Sequence, residues 1–252
     1  PAMAPRAGIA YAEAENLSTD LLVVDSGGTT FDVSLVRDGE VKFTRETWLG
    51  PLFYGHNLGL SSVDVRSVGA GGGSLVWIDS GGLLRVGPGS AGAVPGPACY
   101  GRGGTEPTVT DAAVVLGYID PNHFLDGRMP LNVEAARVAV GGIASVLDLA
   151  LDEAAFSILR IASESMIKAI EEITVNEGVN PRECILVAGG GAAGLNILPI
   201  AEALGCRQVL LPKTAGALSA CGAQYSDVVA EFSASQYVRT DHWNGELVGG
   251  TL

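Results

Sequence analysis

The sequence predicts an α/β fold: a sheet that starts antiparallel and finishes parallel, with helices on both faces. Three observations carry this. The apolar run Leu21-Leu22-Val23-Val24 leads into a glycine turn and then into two alternating segments joined by Asp38-Gly39. A long segment from about 153 to 177 keeps Phe156, Leu159, Met166, Ile170 and Ile173 at helical spacing. From 184 to 232 strand-like and helix-like runs alternate, the rhythm of parallel pairing through crossover helices.

Each element has a local reason. Leu21 to Val24 is short, continuous and apolar, as a strand buried on both faces must be. Val33–Val36 and Val41–Thr44 alternate, and Asp38-Gly39 between them suits a two-residue hairpin. Ser74–Ile78 and Leu83–Val86 flank Ser80-Gly81-Gly82 as a second hairpin. Thr110 is placed to cap a helix over Asp111–Leu116 that closes at Gly117. Asn132 caps one from Val133 to about Leu147, and Asp152 one from Glu153 to Glu177 that stops at Gly178. Cys184–Ala188 reads as a strand, Gly189-Gly190-Gly191 as a turn, and Ala193–Leu204 as a helix stopped by Gly205. Gln208–Leu211 is a further strand and Gly216 to about Phe232 a last helix, before a weakly patterned tail, 233–252. With 47–150 set aside as a Gly/Pro-rich and helical insertion, 1–46 plus 151–232 has the order of a ribonuclease-H-like half of an actin-like ATPase fold.

Composition narrows the function classes. The net charge of −13 repels nucleic-acid phosphates, and no local basic patch offsets it. No apolar run reaches the ~20 residues of a membrane span. Pro1–Asn16 lacks the charged-then-apolar pattern of a signal peptide. Cys99, Cys184, Cys206 and Cys221 are widely spaced with no CxxC, which predicts buried free thiols in a reducing cytoplasm. His56, His123 and His242 do not cluster, with no HxH or HExxH spacing, and no serine stands in GxSxG. They read as structural or surface groups, with His56, among Gly55, Asn57 and Gly59, the one that could line a site.

Chemistry concentrates in three glycine-rich segments. In Asp25-Ser26-Gly27-Gly28-Thr29-Thr30-Phe31-Asp32 a strand feeds a Gly-Gly turn whose backbone N–H groups can approach an anion, with Thr29 and Thr30 adding hydroxyls. Asp25 and Asp32 can hold Mg²⁺ through water. Leu186-Val187-Ala188-Gly189-Gly190-Gly191-Ala192-Ala193-Gly194 offers a flat backbone surface for a base or ribose and a helix N-terminus; its spacing is not GxGxxG. Close strand–helix packing is the structural alternative there. The third segment is Gly69–Ser74 with the loop Val86–Gly104, continuing through Pro107–Ala112; 13 of the 36 residues from Gly69 to Gly104 are glycine. Such a backbone-rich surface suits close approach of a ligand or a partner chain. Asp111 is either an N-terminal dipole partner of its helix or a catalytic or metal carboxylate. Arg102 is either solvated or an anion contact, and Asp64 is similarly open.

At these residues the sequence resembles the hydantoinase A / 5-oxoprolinase family, whose members include N-methylhydantoinase A and acetone and acetophenone carboxylase subunits. The likeness runs from about Pro5 to Ser226. It is carried by Asp25–Val33, Gly69–Ser74, Val86–Gly104, Pro107–Leu116, Leu186–Gly194 and Ala217–Ala220. It implies ATP and Mg²⁺ as cofactors, and phosphoryl activation of a carbonyl or enol oxygen in a lactam, hydantoin or ketone. By position, Asp25 and Gly27, Gly28, Thr29 and Thr30 resemble the second phosphate loop; Gly189, Gly190, Gly191 and Ala193 resemble the adenosine motif, here Gly-Gly-Gly-Ala-Ala-Gly rather than Gly-Gly-Ala-Gly. Asp25, Asp32 and Asp111 are the candidate catalytic carboxylates. The family's earlier Asp-x-Gly-Gly-Thr has no counterpart in this sequence. The resemblance therefore implies a C-terminal portion whose partners are an N-terminal lobe and a hydantoinase B-like subunit, with little or no turnover by this chain alone.

Overall fold

The computed structural model describes residues 1–49, 54–228, 237–239, 241, 243 and 245–250. Its main sheet is built on β1 (Leu21–Ser26), which pairs antiparallel with β2 (Phe31–Arg37). Leu21, Leu22, Val23 and Val24 are all at most 2% exposed, so this central strand is covered on both faces. The outer edge of β2 is shared by two short strands, β3 (Glu40–Val41) beyond the Asp38-Gly39 turn and β4 (Val65–Val68). Asp38 and Gly39 both have positive φ, as a hairpin turn of this type requires.

A separate hairpin joins β5 (Ser74–Ile78) and β6 (Leu84–Ser90). The helices α2 (Val109–Val115), α3 (Val133–Leu147) and α4 (Leu151–Glu177) follow. On the other side of β1, β7 (Ile185–Gly189) and β8 (Gln208–Leu210) pair in parallel, giving the order β8-β7-β1-β2-β3. α5 (Ala193–Leu204) crosses between β7 and β8, and α6 (Leu218–Gln224) follows them.

The alternation of β1 divides the core. Leu22 and Val24 pack with Met166, Ile170 and Ile173 of α4 and Ile197 and Ile200 of α5. Leu21 and Val23 face the other layer, with Leu218 and the N-terminal helix α1 (Ala4–Ala14). The first half of α4 serves a second core: Ala154, Ala155, Ile158 and Ala162 meet α2, α3 and the β5–β6 hairpin. At 27 residues, about 40 Å, α4 is long enough to span both.

Several expectations need correction. The α2 cap is Thr108, whose hydroxyl accepts the Asp111 N–H at 3.3 Å; the Thr110 hydroxyl bonds to Gly72 instead. α4 starts one residue before Asp152, where the Glu153 carboxylate accepts the Ala150 N–H at 3.1 Å. Phe156, in the helical register, is 53% exposed. The last helix is shorter than 216–232: a 3-10 turn over Ala215–Ala217 precedes α6, which ends at Gln224, and 229–232 lie outside the described residues. So do His242 and much of the 233–252 tail. α1 has no side-chain cap, and Pro5 in its first turn is its one start signal; β4 comes from the segment read as insertion.

All four cysteines are free thiols; Cys99 and Cys184 are buried, while Cys206 and Cys221 are half-buried. Burial pushes the Cys184 thiol up to about 11 and raises Cys99 and Cys206 as well, which keeps them protonated and unreactive. No helix among the described residues is long and apolar enough to cross a membrane.

Candidate functional site

The chain turns sharply where β1 ends. The Gly27 N–H donates to the Thr30 carbonyl at 2.9 Å, closing a tight bend with Gly28 and Thr29 at its exposed tip. Among the described residues, no protein group accepts from the Gly28 or Thr29 N–H. The turn's carbonyls do have partners: Gly72 N–H donates to Gly27 at 3.1 Å and Gly73 N–H to Gly28 at 2.6 Å. The outer face thus presents donors, with the Thr29 hydroxyl beside them at 3.3 Å from Ser90 Oγ. An exposed arc of unpaired amides and a hydroxyl is the donor chemistry that suits phosphate oxygens.

The second glycine segment lies against the same strand end. The Ala192 N–H donates to the Ser26 carbonyl at 2.9 Å, and a Cβ on Gly190 would lie only 2.2 Å from that oxygen. Gly190 also has φ of +91°, so glycine is required there twice over. A Cβ on Gly189 would meet Leu218 at 2.5 Å, and Ala193 is 3% exposed. Gly189, Gly190 and Ala193 are thus closely packed, which the structural alternative of the sequence reading also expects. Gly191 and Gly194 are exposed with open space beside them, and they form the flat edge available to a ligand. Two buried polar atoms of this region, Ser26 Oγ and Asn196 Oδ1, have no hydrogen-bond partner.

Asp25 and Asp32 are directly opposed in the β1–β2 ladder, so both project from one face. Burial holds the Asp25 carboxyl above its ordinary value, against the pull of the N-terminal ammonium and with a smaller push from the charge of Asp32. The Thr30 hydroxyl donates to Asp32 Oδ2 at 3.1 Å. Like charges facing each other across a ladder are destabilising unless a cation joins them. Among the described residues no group of three or more His, Cys, Asp or Glu side chains converges. Two carboxylates beside phosphate donors fit Mg²⁺, which usually takes one or two carboxylates, keeps waters and shares phosphate oxygens.

Asp111 does not join this pair. It is fully buried; Oδ1 accepts Cys99 N–H at 2.8 Å, and Oδ2 accepts Ala98 N–H at 3.2 Å, Thr108 N–H at 3.0 Å and the Thr108 hydroxyl at 2.8 Å. With four donors on it, the carboxylate caps α2 and pins the Gly/Pro loop, as the reading of Asp111 as a partner of its helix N-terminus expects. Arg102 is exposed and makes long contacts to Ala93 O and Met129 Sδ, both 3.5 Å. Asp64 is buried and paired with Lys42 at 3.1 Å and Arg66 at 3.6 Å. Lys42 also bonds Glu177 at the end of α4. His56 and His123 are exposed. An open cleft of about 680 Å³ is lined by residues including Met3, Thr44, Thr47, Ser62, Arg66 and Ser219, and its wall reaches Ser67, the ladder partner of Asp32. It includes none of Asp25–Asp32 or Gly189–Gly191, and its buried acid is already balanced by cations.

Sequence reasoning missed Gly71–Gly73 and Ser90 as neighbours of the bend. The glycine run was the available signal; the close approach it permits is to the chain's own turn.

Residues 3–232 match the family model described as hydantoinase/oxoprolinase. The caprolactamase subunit alpha of Pseudomonas jessenii is 40% identical over 229 residues, covering 90% of this chain and 32% of that protein. The acetophenone carboxylase gamma subunit of Aromatoleum aromaticum is 40% identical over 214 residues, covering 84% and 29%. The crystal structure of the ATP-dependent caprolactamase from Pseudomonas jessenii superposes with a TM-score of 0.79 at 40% identity, covering 88% of this chain and 32% of that one. The chain thus spans about a third of the length of these relatives. With the match running through all three glycine segments, the chain belongs to the hydantoinase/oxoprolinase family.

Proposed function

We propose that this chain is the nucleotide-binding lobe of an ATP-dependent amidohydrolase that opens a lactam or hydantoin ring. In this reading 1–46 plus 151–232 form a ribonuclease-H-like half of an actin-like ATPase fold, and 47–150 elaborate it. The strand order β8-β7-β1-β2-β3 supports that architecture. The observation that carries the functional reading is the bend after β1, whose Gly28 and Thr29 amides have no acceptor among the described residues, with the Ala192 N–H bonded to Ser26 at its base.

The amides of Gly28 and Thr29, with the Thr29 hydroxyl, bind and orient the polyphosphate, and the Thr30 hydroxyl, which donates to Asp32, steadies that carboxylate beside it. Asp25 and Asp32 hold Mg²⁺, and Gly191 and Gly194 lie along the base or ribose. When bound, Mg·ATP supplies the phosphoryl group that turns a carbonyl or enol oxygen into a leaving group. Burial keeps the Asp25 carboxyl above its ordinary value, and a cation held between Asp25 and Asp32 would favour its ionised form. Phosphoryl transfer depends on clamping from several sides. An N-terminal lobe and a hydantoinase B-like subunit supply the remaining wall and the substrate contacts, so the chain alone binds nucleotide and turns over little of it.

Calorimetric titration with Mg·ATP tests this reading. Binding is expected, and Thr29→Ala weakens it about tenfold, the scale of one hydrogen bond to a charged group. No heat from either protein would leave an assembly module in place of a nucleotide site. A second reading, a portion of an ATP-dependent carboxylase, is favoured by an equal 40% identity to the acetophenone carboxylase subunit. Turnover of the chain reconstituted with its lobe and partner, on lactams and hydantoins or on ketones with bicarbonate, separates the two.

A further inference from the structure

The role of the glycine run after β4 follows from how it meets the bend. Its amides reach the bend's carbonyls, Gly72 to Gly27 and Gly73 to Gly28. In a trans peptide the C=O of one residue and the N–H of the next point in opposite directions. Holding the Gly27 and Gly28 carbonyls against the run therefore turns the Gly28 and Thr29 N–H groups away from it, onto the exposed face. The approach has no room for a side chain. A Cβ on Gly71 would lie 2.7 Å from Gly27 O, 2.7 Å from Thr29 N and 2.8 Å from Gly28 C. A Cβ on Gly73 would lie 2.8 Å from Gly28 O. These are backbone atoms, which cannot rotate aside.

The run is itself held from behind. Both the N–H and the hydroxyl of Thr110, in the first turn of α2, donate to Gly72 O at 2.7 Å. The Ala91 N–H donates to Gly73 O at 2.9 Å, and the Ser74 hydroxyl oxygen accepts the Gly71 N–H at 2.8 Å. Ser90 completes the frame: its Oγ accepts the Gly92 N–H at 3.1 Å and lies 3.3 Å from Thr29 Oγ1.

We propose that Gly71–Gly73 and Ser90 are positioning residues for polyphosphate binding, a backing strap that fixes the outward aim of the Gly28 and Thr29 amides. The inference rests on the reading of the bend as the phosphate site and adds the part that orients it. Thr110 is its anchor on α2.

The test compares the chain with Gly71→Ala, Ser90→Ala and Thr110→Val, and with Gly141→Ala in α3, where an added Cβ meets nothing within 4 Å. Mg·ATP and adenosine are the probes, followed by titration of backbone amide resonances. The strap acts only on the phosphate end. Gly71→Ala is therefore expected to weaken Mg·ATP at least about tenfold, and Ser90→Ala and Thr110→Val about threefold, through shifted Gly28 and Thr29 resonances. Adenosine perturbations at Gly191 and Gly194 stay as in the parent chain, and Gly141→Ala changes neither. If Gly71→Ala does not fold, the other two variants carry the test. Parent-like Mg·ATP affinity in every strap variant that folds overturns the inference alone. So does a loss of adenosine binding equal to the loss of Mg·ATP, which marks general damage. A parent chain that binds no Mg·ATP overturns the phosphate reading and the inference with it.

Discussion

At Asp25 burial and proximity to Asp32 act in the same direction, both resisting the negative charge. The carboxyl is held above its ordinary 3.8, so the folded state keeps the proton more tightly than the unfolded chain. Stability then falls as pH rises from 3.8 through the folded-state value, and the full cost of ionisation is present at neutral pH. Asp25→Asn removes that cost. Its melting temperature at pH 7 is expected above the parent's, and the advantage disappears below pH 3.8. A cation between Asp25 and Asp32 relieves the same cost, so Mg²⁺ with ATP should raise the parent's melting temperature and leave the variant's nearly unmoved. A variant less stable than the parent at pH 7 would contradict this reading of the pair.

At the scale of elements, Asp111 links a helix cap to the Gly/Pro loop, whose Cys99 packs with Val114, Leu131 and Ala136. Its carboxylate caps α2 through Thr108 and holds Ala98 and Cys99 of the Gly/Pro loop. An amide in its place loses an acceptor and faces buried N–H groups with one of its own. Asp111→Asn is thus expected to cost about 3 kcal/mol in urea unfolding, while the folded variant binds Mg·ATP as the parent does. Unchanged stability with lost binding would support the catalytic reading.

The sequence revealed most of the elements whose signals are local. Leu21–Val24 read as a two-faced strand, Asp38-Gly39 as a hairpin, and Asn132, Gly178 and Gly205 as helix ends, because each depends on neighbours in the chain. Features decided by distant contacts were hidden. α1 is an alanine-rich helix stabilised by packing on β1, where Gly8 brings it close to Val23. β4 is short and carries exposed Arg66 and Ser67, and it becomes a strand by pairing with β2. Likewise the motif Asp25–Asp32 was legible, whereas the strap behind it was not, because nothing in a glycine run says which backbone it will touch. The Gly189–Gly191 segment reads as a ligand surface, and the contacts that exclude a side chain at Gly189 and Gly190 come from Leu218 and Ser26, far off in the sequence.

For the molecule as a whole, two cores share one helix. α4 anchors the sheet with its second half and the α2–α3 layer with its first. The strap is thereby supported from both sides, by β4 ahead of it in the main sheet and by Thr110 at the start of α2. The net charge of −13 opposes any polyanion at long range. On the proposed reading, binding at the bend comes from short-range donors and a divalent cation. Titration of the chain's backbone amide resonances with ATP, with and without Mg²⁺, tests this most directly. The largest Mg-dependent shifts are expected at Gly28, Thr29 and Thr30, with a second group at Gly191 and Gly194. Shifts confined to the Asp64–Arg66 cleft, or none at the bend at millimolar Mg·ATP, would contradict it.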